Sequence, residues 1–151
     1  NHEFRFMQSL RKKNLPVPKP IAAMYARSGL FCRAAILIER IPDSRSFLDC
    51  VHRQTESAPW AMLGKCIAEF HKAGAQHADL NAQNILVDAH HKIWLIDWDK
   101  AVSRTKPGQW CVDVLQRLQR SLLKYRGEVS EETIQAGMQM LRAAHDTELE
   151  K

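Results

Sequence analysis

The sequence predicts an α+β domain that is mainly helical after residue 42 and has a small β element near its N terminus. Two observations support this fold class. First, apolar residues recur at helical spacing in four windows, at residues 3–14, 59–73, 110–125 and 131–144. Second, short aliphatic runs of strand length lie between turn residues, at 21–26, 31–41, 85–87 and 93–96.

The N-terminal part is predicted to be one helix followed by a hairpin. The helix has its apolar stripe at Phe6, Met7 and Leu10, and the proline-rich stretch 15–20 ends it because proline has no amide hydrogen. The two strands that follow are expected to pair antiparallel. We assign residues 1–41 to a partial N-terminal lobe and residues 42–151 to a C-terminal lobe.

The C-terminal part is predicted to be a set of helices interrupted by one hairpin. Pro59 is expected at the first position of a central helix, and Gly74 at its C-terminal cap. Residues 75–84 are polar and are expected to be irregular. The last residues, 146–151, are expected to fray beyond the final helix.

Composition argues against several classes of protein. The 151 residues carry a net charge of +5, but no nucleic-acid-binding motif accompanies the basic charge, so nucleic acid is not an expected partner. The four cysteines lie far apart and form no Cys-x-x-Cys pair, which gives no support for a zinc site. No apolar run reaches the ~18 residues of a membrane span, and nothing in the sequence argues for secretion.

Three polar residues around the predicted hairpin 85–96 carry the chemical information. Asp79 and Asn84 lie in the loop before it, and Asp97 follows its second strand. A hairpin returns the chain, so Asp97 is expected beside the other two. Carboxylate and amide oxygens suit Mg²⁺, and a further carboxylate that is not a ligand can accept the proton of an attacking hydroxyl. This combination is what phosphoryl transfer needs.

The stretch from His77 to Asp97 resembles the protein-kinase-like superfamily. Its catalytic loop reads His-x-Asp-Leu-x-x-x-Asn, and here Asn84 lies five positions after Asp79 and thirteen before Asp97, as in that superfamily. The resemblance implies ATP and Mg²⁺ as cofactors, with Asp79 as the catalytic base and with Asn84 and Asp97 as the Mg²⁺ ligands. It also implies that His77 is a structural support of the loop.

The departures from protein kinases indicate a different acceptor. Ala78 replaces the arginine that receives an activation-loop phosphate, and Asn81 replaces the lysine two residues after the base. Only twelve residues separate Asp97 from Trp110, which leaves no room for a long activation segment. We therefore expect a small-molecule or glycolipid kinase.

Residues 3–126 more closely resemble the 3-deoxy-D-manno-octulosonic acid (Kdo) kinase family of Gram-negative lipopolysaccharide synthesis. The matching segments are Glu3-Phe4, 15–23, 38–42, 77–81, 94–97, Trp110, Arg117-Leu118 and Arg120-Ser121. The resemblance implies a kinase-like fold with a truncated N-terminal β-sheet lobe. It also implies transfer of the ATP γ-phosphate to the 4-hydroxyl of Kdo on Kdo-lipid A, in peripheral contact with the cytoplasmic face of the bacterial inner membrane.

The same resemblance assigns the nucleotide contacts. Glu3 matches the helix glutamate that pairs with the phosphate-binding lysine, and residues Glu39 to Ile41 match the hinge whose backbone binds adenine. The family's glycine-rich loop and lysine precede the position of Glu3, so we interpret the chain as a segment of a longer kinase. From charge alone, six basic residues are expected to meet the acidic sugar or lipid phosphates: Arg104, Lys106, Arg117, Arg120, Lys124 and Arg126.

Two other functions remain open from the sequence. The first is a related kinase of heptose or of an aminoglycoside-type small molecule. Dependence of the activity on a lipid acceptor would distinguish a Kdo kinase from it. The second is an inactive, nucleotide-binding pseudokinase, for which an Asp79→Ala change would be without effect. The sequence does not indicate a protein partner.

Overall fold

The computed structural model describes residues 2–28, 31–53 and 58–151. The helices in these ranges are α1 (His2–Lys12), α2 (Phe47–His52), α3 (Trp60–Lys72), α4 (Gln109–Tyr125) and α5 (Glu131–Leu149). The strands are β1 (Pro20–Ser28), β2 (Phe31–Ile38), β3 (Arg45–Ser46), β4 (Ala75–Gln76), β5 (Ile85–Val87), β6 (Ile93–Leu95) and β7 (Val102–Ser103).

The strands form three small antiparallel sheets. β1 pairs with β2 as the predicted hairpin, from Pro20 opposite Ile38 to Ser28 opposite Phe31, while Gly29 of the predicted turn lies outside the described residues. β5 is the central strand of the second sheet, between β3 and β6. The third sheet joins β4 to β7. The second and third sheets flank the loop 77–84 and thereby fix both of its ends.

One hydrophobic core runs from α1 to α5. Phe6, Met7 and Leu10 of α1 are buried, as their spacing predicts, and they belong to the same cluster as Leu118 of α4 and Leu141 of α5. Trp98 is the largest fully buried side chain, and its ring stacks on Phe6 and Phe70 with centroid distances of 5.7 and 5.1 Å. The α1 helix is therefore held to the C-terminal helices through the segment that follows β6.

Helices α3 and α5 approach each other closely enough that backbone meets backbone. A Cβ atom placed on Gly64 of α3 would lie 2.1 Å from the carbonyl oxygen of Leu141 in α5. The two helices are also joined at the surface, where Lys72 Nζ lies 3.0 Å from Glu148 Oε1. This contact positions the central helix that leads into the loop 77–84.

The prediction that residues 146–151 fray is wrong. Helix α5 continues to Leu149, because the Glu148 carboxylate is held by Lys72 from α3 and by Lys151 at 2.9 Å. The lysine on α3 is distant in sequence, so a local pattern does not reveal it. None of the helices in the described ranges combines the length and the apolarity that crossing a membrane requires.

Two smaller differences concern the start of α3 and the stretch that follows its end. Pro59 occupies the N-cap position, one residue before the predicted first helical position. Gly74 does follow the C-cap, with a positive φ of 73° that glycine adopts readily. The stretch 75–84, expected to be irregular, opens with the two-residue strand β4, which pairs with β7.

Candidate functional site

The loop between β4 and β5 is held rigid by its own polar residues and by α4. Leu80 and Ala82 are buried beneath it. The Asn81 side-chain oxygen accepts hydrogen bonds from the amides of Gln83 and Asn84, at 3.0 and 3.2 Å. The Ala82 amide donates to Ser121 Oγ of α4 at 3.2 Å. The loop therefore presents Asp79 and Asn84 in fixed positions.

The β5–β6 hairpin brings Asn84 and Asp97 together. Its register sets Ile85 opposite Leu95, and the ladder extends by one pair because the Ile96 amide donates to the Asn84 carbonyl at 3.0 Å. Asn84 Nδ2 lies 3.4 Å from Asp97 Oδ2 and 3.3 Å from the carbonyl oxygen of Asp79. The Asn84 side chain thus contacts both the Asp97 carboxylate and the backbone of Asp79.

Two cations surround the Asp79 carboxylate. Arg117 of α4 donates to Oδ1 through both Nε and Nη2, with the Nε contact at 3.0 Å, and Lys100 Nζ lies 3.6 Å from Oδ2. The hydrogen bond from Arg117 is the main reason that the pKa of Asp79 is lowered from its ordinary value. Asp79 is therefore ionised at neutral pH and able to accept a proton.

His77 supports the backbone that leads to Asp97. Its side chain is buried, and Nε2 donates a hydrogen bond of 2.8 Å to the carbonyl oxygen of Ile96. Its ring lies 4.5 Å from that of Trp98, centroid to centroid. Burial lowers the pKa of His77, so the imidazole is neutral at pH 7. These contacts tie the start of the loop 77–84 to the segment that follows β6.

Asp97 adopts a backbone conformation that is uncommon for residues other than glycine. Its φ is +65°, and its neighbours on both sides are anchored, Ile96 by His77 and Trp98 by the core. The Trp98 amide also donates a hydrogen bond to the Glu3 carboxylate at the start of α1. Glu3 thus lies beside Asp97 and Asp99, and its pKa is raised, chiefly by burial.

The predicted hinge borders a pocket of about 450 Å³. Its apolar lining includes Ile38, Leu86 and Ile96, so one wall comes from the hinge strand and the other from the β5–β6 hairpin. The Glu39 amide donates to Lys19 and the Ile41 carbonyl accepts from Ser44. Within the described residues the Glu39 carbonyl and the Ile41 amide form no hydrogen bonds.

The donor set at Asn84 and Asp97 fits a magnesium ion. In the part of the chain that the structure describes, no three His, Cys, Asp or Glu side chains form a metal-binding cluster. Asn84 and Asp97 instead contribute one amide and one carboxylate group, in contact with each other. Mg²⁺ is commonly held by one or two carboxylates, with phosphate oxygens of a substrate and waters completing its shell.

The six basic residues expected to meet an acidic acceptor do not all lie together. Arg117, Arg120 and Lys124 line a pocket of about 330 Å³ beside Asp79. Arg104 instead donates to Gln76 at 2.7 Å, and Arg126 to the Val129 carbonyl at 2.9 Å. The structure therefore selects three of the six as neighbours of the candidate base.

Besides the bond of Arg117 to Asp79, two contacts of the site were missed from the sequence. Lys100, which approaches Asp79, gave no signal beyond its position three residues after Asp97. Asn81 was noted as a departure from protein kinases, but its capping of the loop was not predicted. The Asx-turn preference of asparagine, which bonds backbone amides two or three residues on, could have indicated it.

The chain has the kinase-like fold that the sequence predicts. A solved structure of WaaP in complex with acyl carrier protein matches 93% of this chain and 64% of that chain with a TM-score of 0.67. Sequence identity over this match is 14%, so the likeness concerns the fold alone.

Residues 1–144 match the model of the lipopolysaccharide kinase (Kdo/WaaP) family, and the chain belongs to that family. It is 52% identical over 144 residues to a 3-deoxy-D-manno-octulosonic acid kinase of Stenotrophomonas maltophilia strain K279a. It is 47% identical over the same length to the enzyme of that name from Xanthomonas campestris pv. campestris strain B100. Each match covers 95% of this chain and 58% of the relative, so the chain spans somewhat over half the length of these proteins.

Proposed function

We propose that the protein transfers the γ-phosphate of ATP to the 4-hydroxyl of Kdo on Kdo-lipid A, in the synthesis of the lipopolysaccharide inner core. The observation that carries the proposal is the convergence of Asp79, Asn84 and Asp97 within a chain of the Kdo/WaaP family. The names of relatives about half identical to it support the choice of acceptor.

Asp79 is the catalytic base in this proposal. Its ionised carboxylate accepts the proton of the acceptor hydroxyl as that oxygen bonds to the γ-phosphorus and the bond to the ADP oxygen breaks. The cations Arg117 and Lys100 keep the carboxylate charged and fix its orientation. Catalysis by positioning and electrostatics needs no covalent intermediate on the protein.

The nucleotide is proposed to lie between the hinge and the hairpin. Adenine would occupy this pocket against Ile38, Leu86 and Ile96, with the Glu39 carbonyl as acceptor and the Ile41 amide as donor. Asn84 and Asp97 would hold Mg²⁺, which supplies charge neutralisation at the phosphates when bound. Glu3, beside Asp97, is the residue that would pair with the phosphate-binding lysine of the family.

With this acceptor, the reaction would take place at the cytoplasmic face of the bacterial inner membrane, and the protein would contact that membrane peripherally. A protein partner is not part of the proposal, since the likeness to the WaaP chain solved with acyl carrier protein extends to the fold alone.

The test is phosphate transfer from radiolabelled Mg-ATP to Kdo-lipid A, using the complete product of the reading frame that encodes this chain. We expect transfer by the wild type and a fall of about 10²–10⁴-fold in the Asp79→Asn variant, as for the loss of a general base. Asp49→Asn, an exposed aspartate on α2, is the matched control and is expected to keep full activity.

Two results would contradict the proposal. Transfer to heptose acceptors, without transfer to Kdo-lipid A, would identify a different sugar kinase. Nucleotide binding with no transfer to any acceptor, and no difference between wild type and Asp79→Asn, would identify a pseudokinase.

A further inference from the structure

Three cations share one side of helix α4 and face the candidate base. Arg117, Arg120 and Lys124 are three, four and seven residues apart, which places them on the same side of a helix. We call these three residues the α4 cationic face. Together with Ser121 and Tyr125 of the same helix, they line the pocket that has Asp79 at its edge.

The α4 cationic face is fixed relative to the catalytic loop by two contacts. Ser121 accepts the Ala82 amide hydrogen, and Arg117 is bonded to the Asp79 carboxylate. The first contact joins α4 to the loop backbone and the second joins it to the base itself. An acceptor held by these cations is therefore held at a set distance from Asp79.

The charge of this pocket is not balanced by its own residues. Three cations line it, and Asp79 is the carboxylate among its lining residues. Within the described ranges Arg120 has no hydrogen-bond or ion-pair partner, and the ammonium of Lys124 contacts the Tyr125 ring at 5.0 Å. Such an excess of positive charge in a concave site favours an anionic ligand.

We propose that the α4 cationic face binds the carboxylate of the acceptor sugar acid and thereby sets the hydroxyl of that sugar against Asp79. This inference rests on the proposed function and names the contact that selects the substrate. Guanidinium groups bind carboxylates through paired hydrogen bonds, as Arg117 already does with Asp79. The volume of about 330 Å³ lies at the small end for ligand sites and suits a single sugar unit.

The first experiment separates acceptor binding from nucleotide binding. In the complete protein, Arg120→Gln is expected to raise KM for Kdo-lipid A about tenfold or more, the usual effect of losing a hydrogen bond to a charged group. KM for ATP is expected to stay within about twofold, because Arg120 does not line the hinge pocket. Lys12→Gln removes an exposed cation of α1 that lies outside both pockets, and is expected to change neither constant.

The second experiment changes the acceptor instead of the protein. Kdo-lipid A whose Kdo carboxylate is a methyl ester is expected to raise KM in the wild type as much as Arg120→Gln does with the free acid. In the Arg120→Gln variant, the ester should give the same KM as the free acid, since the two changes remove the same contact. An equal penalty of Arg120→Gln on acid and ester would show that the cation contacts another group and would overturn the inference.

Failure of the inference is distinct from failure of the proposed function. If the wild type transfers no phosphate to Kdo-lipid A, the proposed function fails, and the inference fails with it. If the wild type is active and Arg120→Gln has the wild-type KM for the acceptor, the function stands and the α4 cationic face is not the acceptor site.

Discussion

At the scale of single residues, a buried histidine pair links α3 to α5. His71 Nδ1 and His145 Nε2 lie 2.8 Å apart, and His145 Nδ1 donates to the Asp146 carboxylate at 2.8 Å. The edge of His71 also meets the Trp110 ring. Burial, followed by repulsion from His145, lowers the pKa of His71 to about 3. His71 is therefore neutral in the folded protein well below the pH at which it titrates when exposed.

The buried state of His71 makes stability depend on pH. The unfolded chain binds a proton at this residue below pH 6.5 and the folded chain does not, so stability falls as pH drops from 6.5 towards 3. The expected slope is about 1.4 kcal/mol per pH unit for this one group. His77, whose pKa is also lowered, acts in the same direction.

Urea unfolding between pH 7 and 5 measures this effect, because the ordinary pKa values of carboxylates lie below that range. In the His71→Gln variant, the free energy of unfolding should change less steeply with pH than in the wild type. The difference should correspond to about one proton fewer taken up on unfolding. His90→Gln, at an exposed turn position, should leave the slope unchanged. A His71→Gln slope equal to that of the wild type would contradict the assignment.

At the scale of elements, the packing of α3 on α5 depends on Gly64. Because a Cβ here would lie 2.1 Å from a main-chain oxygen, no side-chain movement relieves the clash and the helices must separate. Gly64→Ala is expected to lower the free energy of unfolding by about 2–4 kcal/mol. Denaturant titration measures it.

Gly108→Ala is the matched control for Gly64→Ala. Its Cβ would meet only the Trp110 side chain, at an ordinary 3.7 Å, and the expected loss is under about 1 kcal/mol. Equal losses in the two variants would show that the close approach of α3 and α5 does not determine stability.

The elements that the sequence predicts well are those whose signal lies within the element. Helix α1 has its own apolar stripe, and the β5–β6 hairpin has two apolar runs around a polar turn. The strand β4 was missed because two residues carry no periodicity, and only pairing with β7 defines it. The end of α5 was misjudged because Lys72, which holds Glu148, lies in another helix.

In the candidate site too, the contacts that are local in sequence could be predicted, and those between distant elements could not. Asp79, Asn84 and Asp97 could be found because a hairpin of known length joins them, which makes their proximity a local property of the chain. The contact of Arg117 with Asp79 spans 38 residues and depends on where α4 docks. The sequence identified Arg117 as a basic residue for the acceptor, but not as the partner of the base.

At the scale of the whole molecule, binding of the nucleotide with its metal should stabilise the fold. A ligand present at one hundred times its Kd adds about 2.7 kcal/mol to the free energy of unfolding. We expect Mg-ATP to raise Tm, and removal of Mg²⁺ by EDTA to abolish most of that rise. Thermal unfolding of the complete protein, followed by fluorescence, measures both.

The Asp97→Asn variant tests whether the metal acts through the site described above. Its Tm with Mg-ATP should equal its Tm with ATP and EDTA, because the carboxylate ligand is lost. Asp113→Asn, an exposed aspartate on α4, should behave as the wild type does. A full Mg²⁺-dependent rise in Asp97→Asn would place the metal elsewhere.

The register of the β5–β6 hairpin has a consequence for recognising distant relatives. Asn84 and Asp97 meet because Ile85 lies opposite Leu95, whereas the residues of the turn, including His90 and His91, are exposed. Extra residues in that turn would lengthen the interval between Asn84 and Asp97 without separating them in space. A single residue inserted into either strand would instead rotate one partner to the opposite face. A search that demands a fixed interval will therefore reject working sites, and one that demands paired strands will retain them.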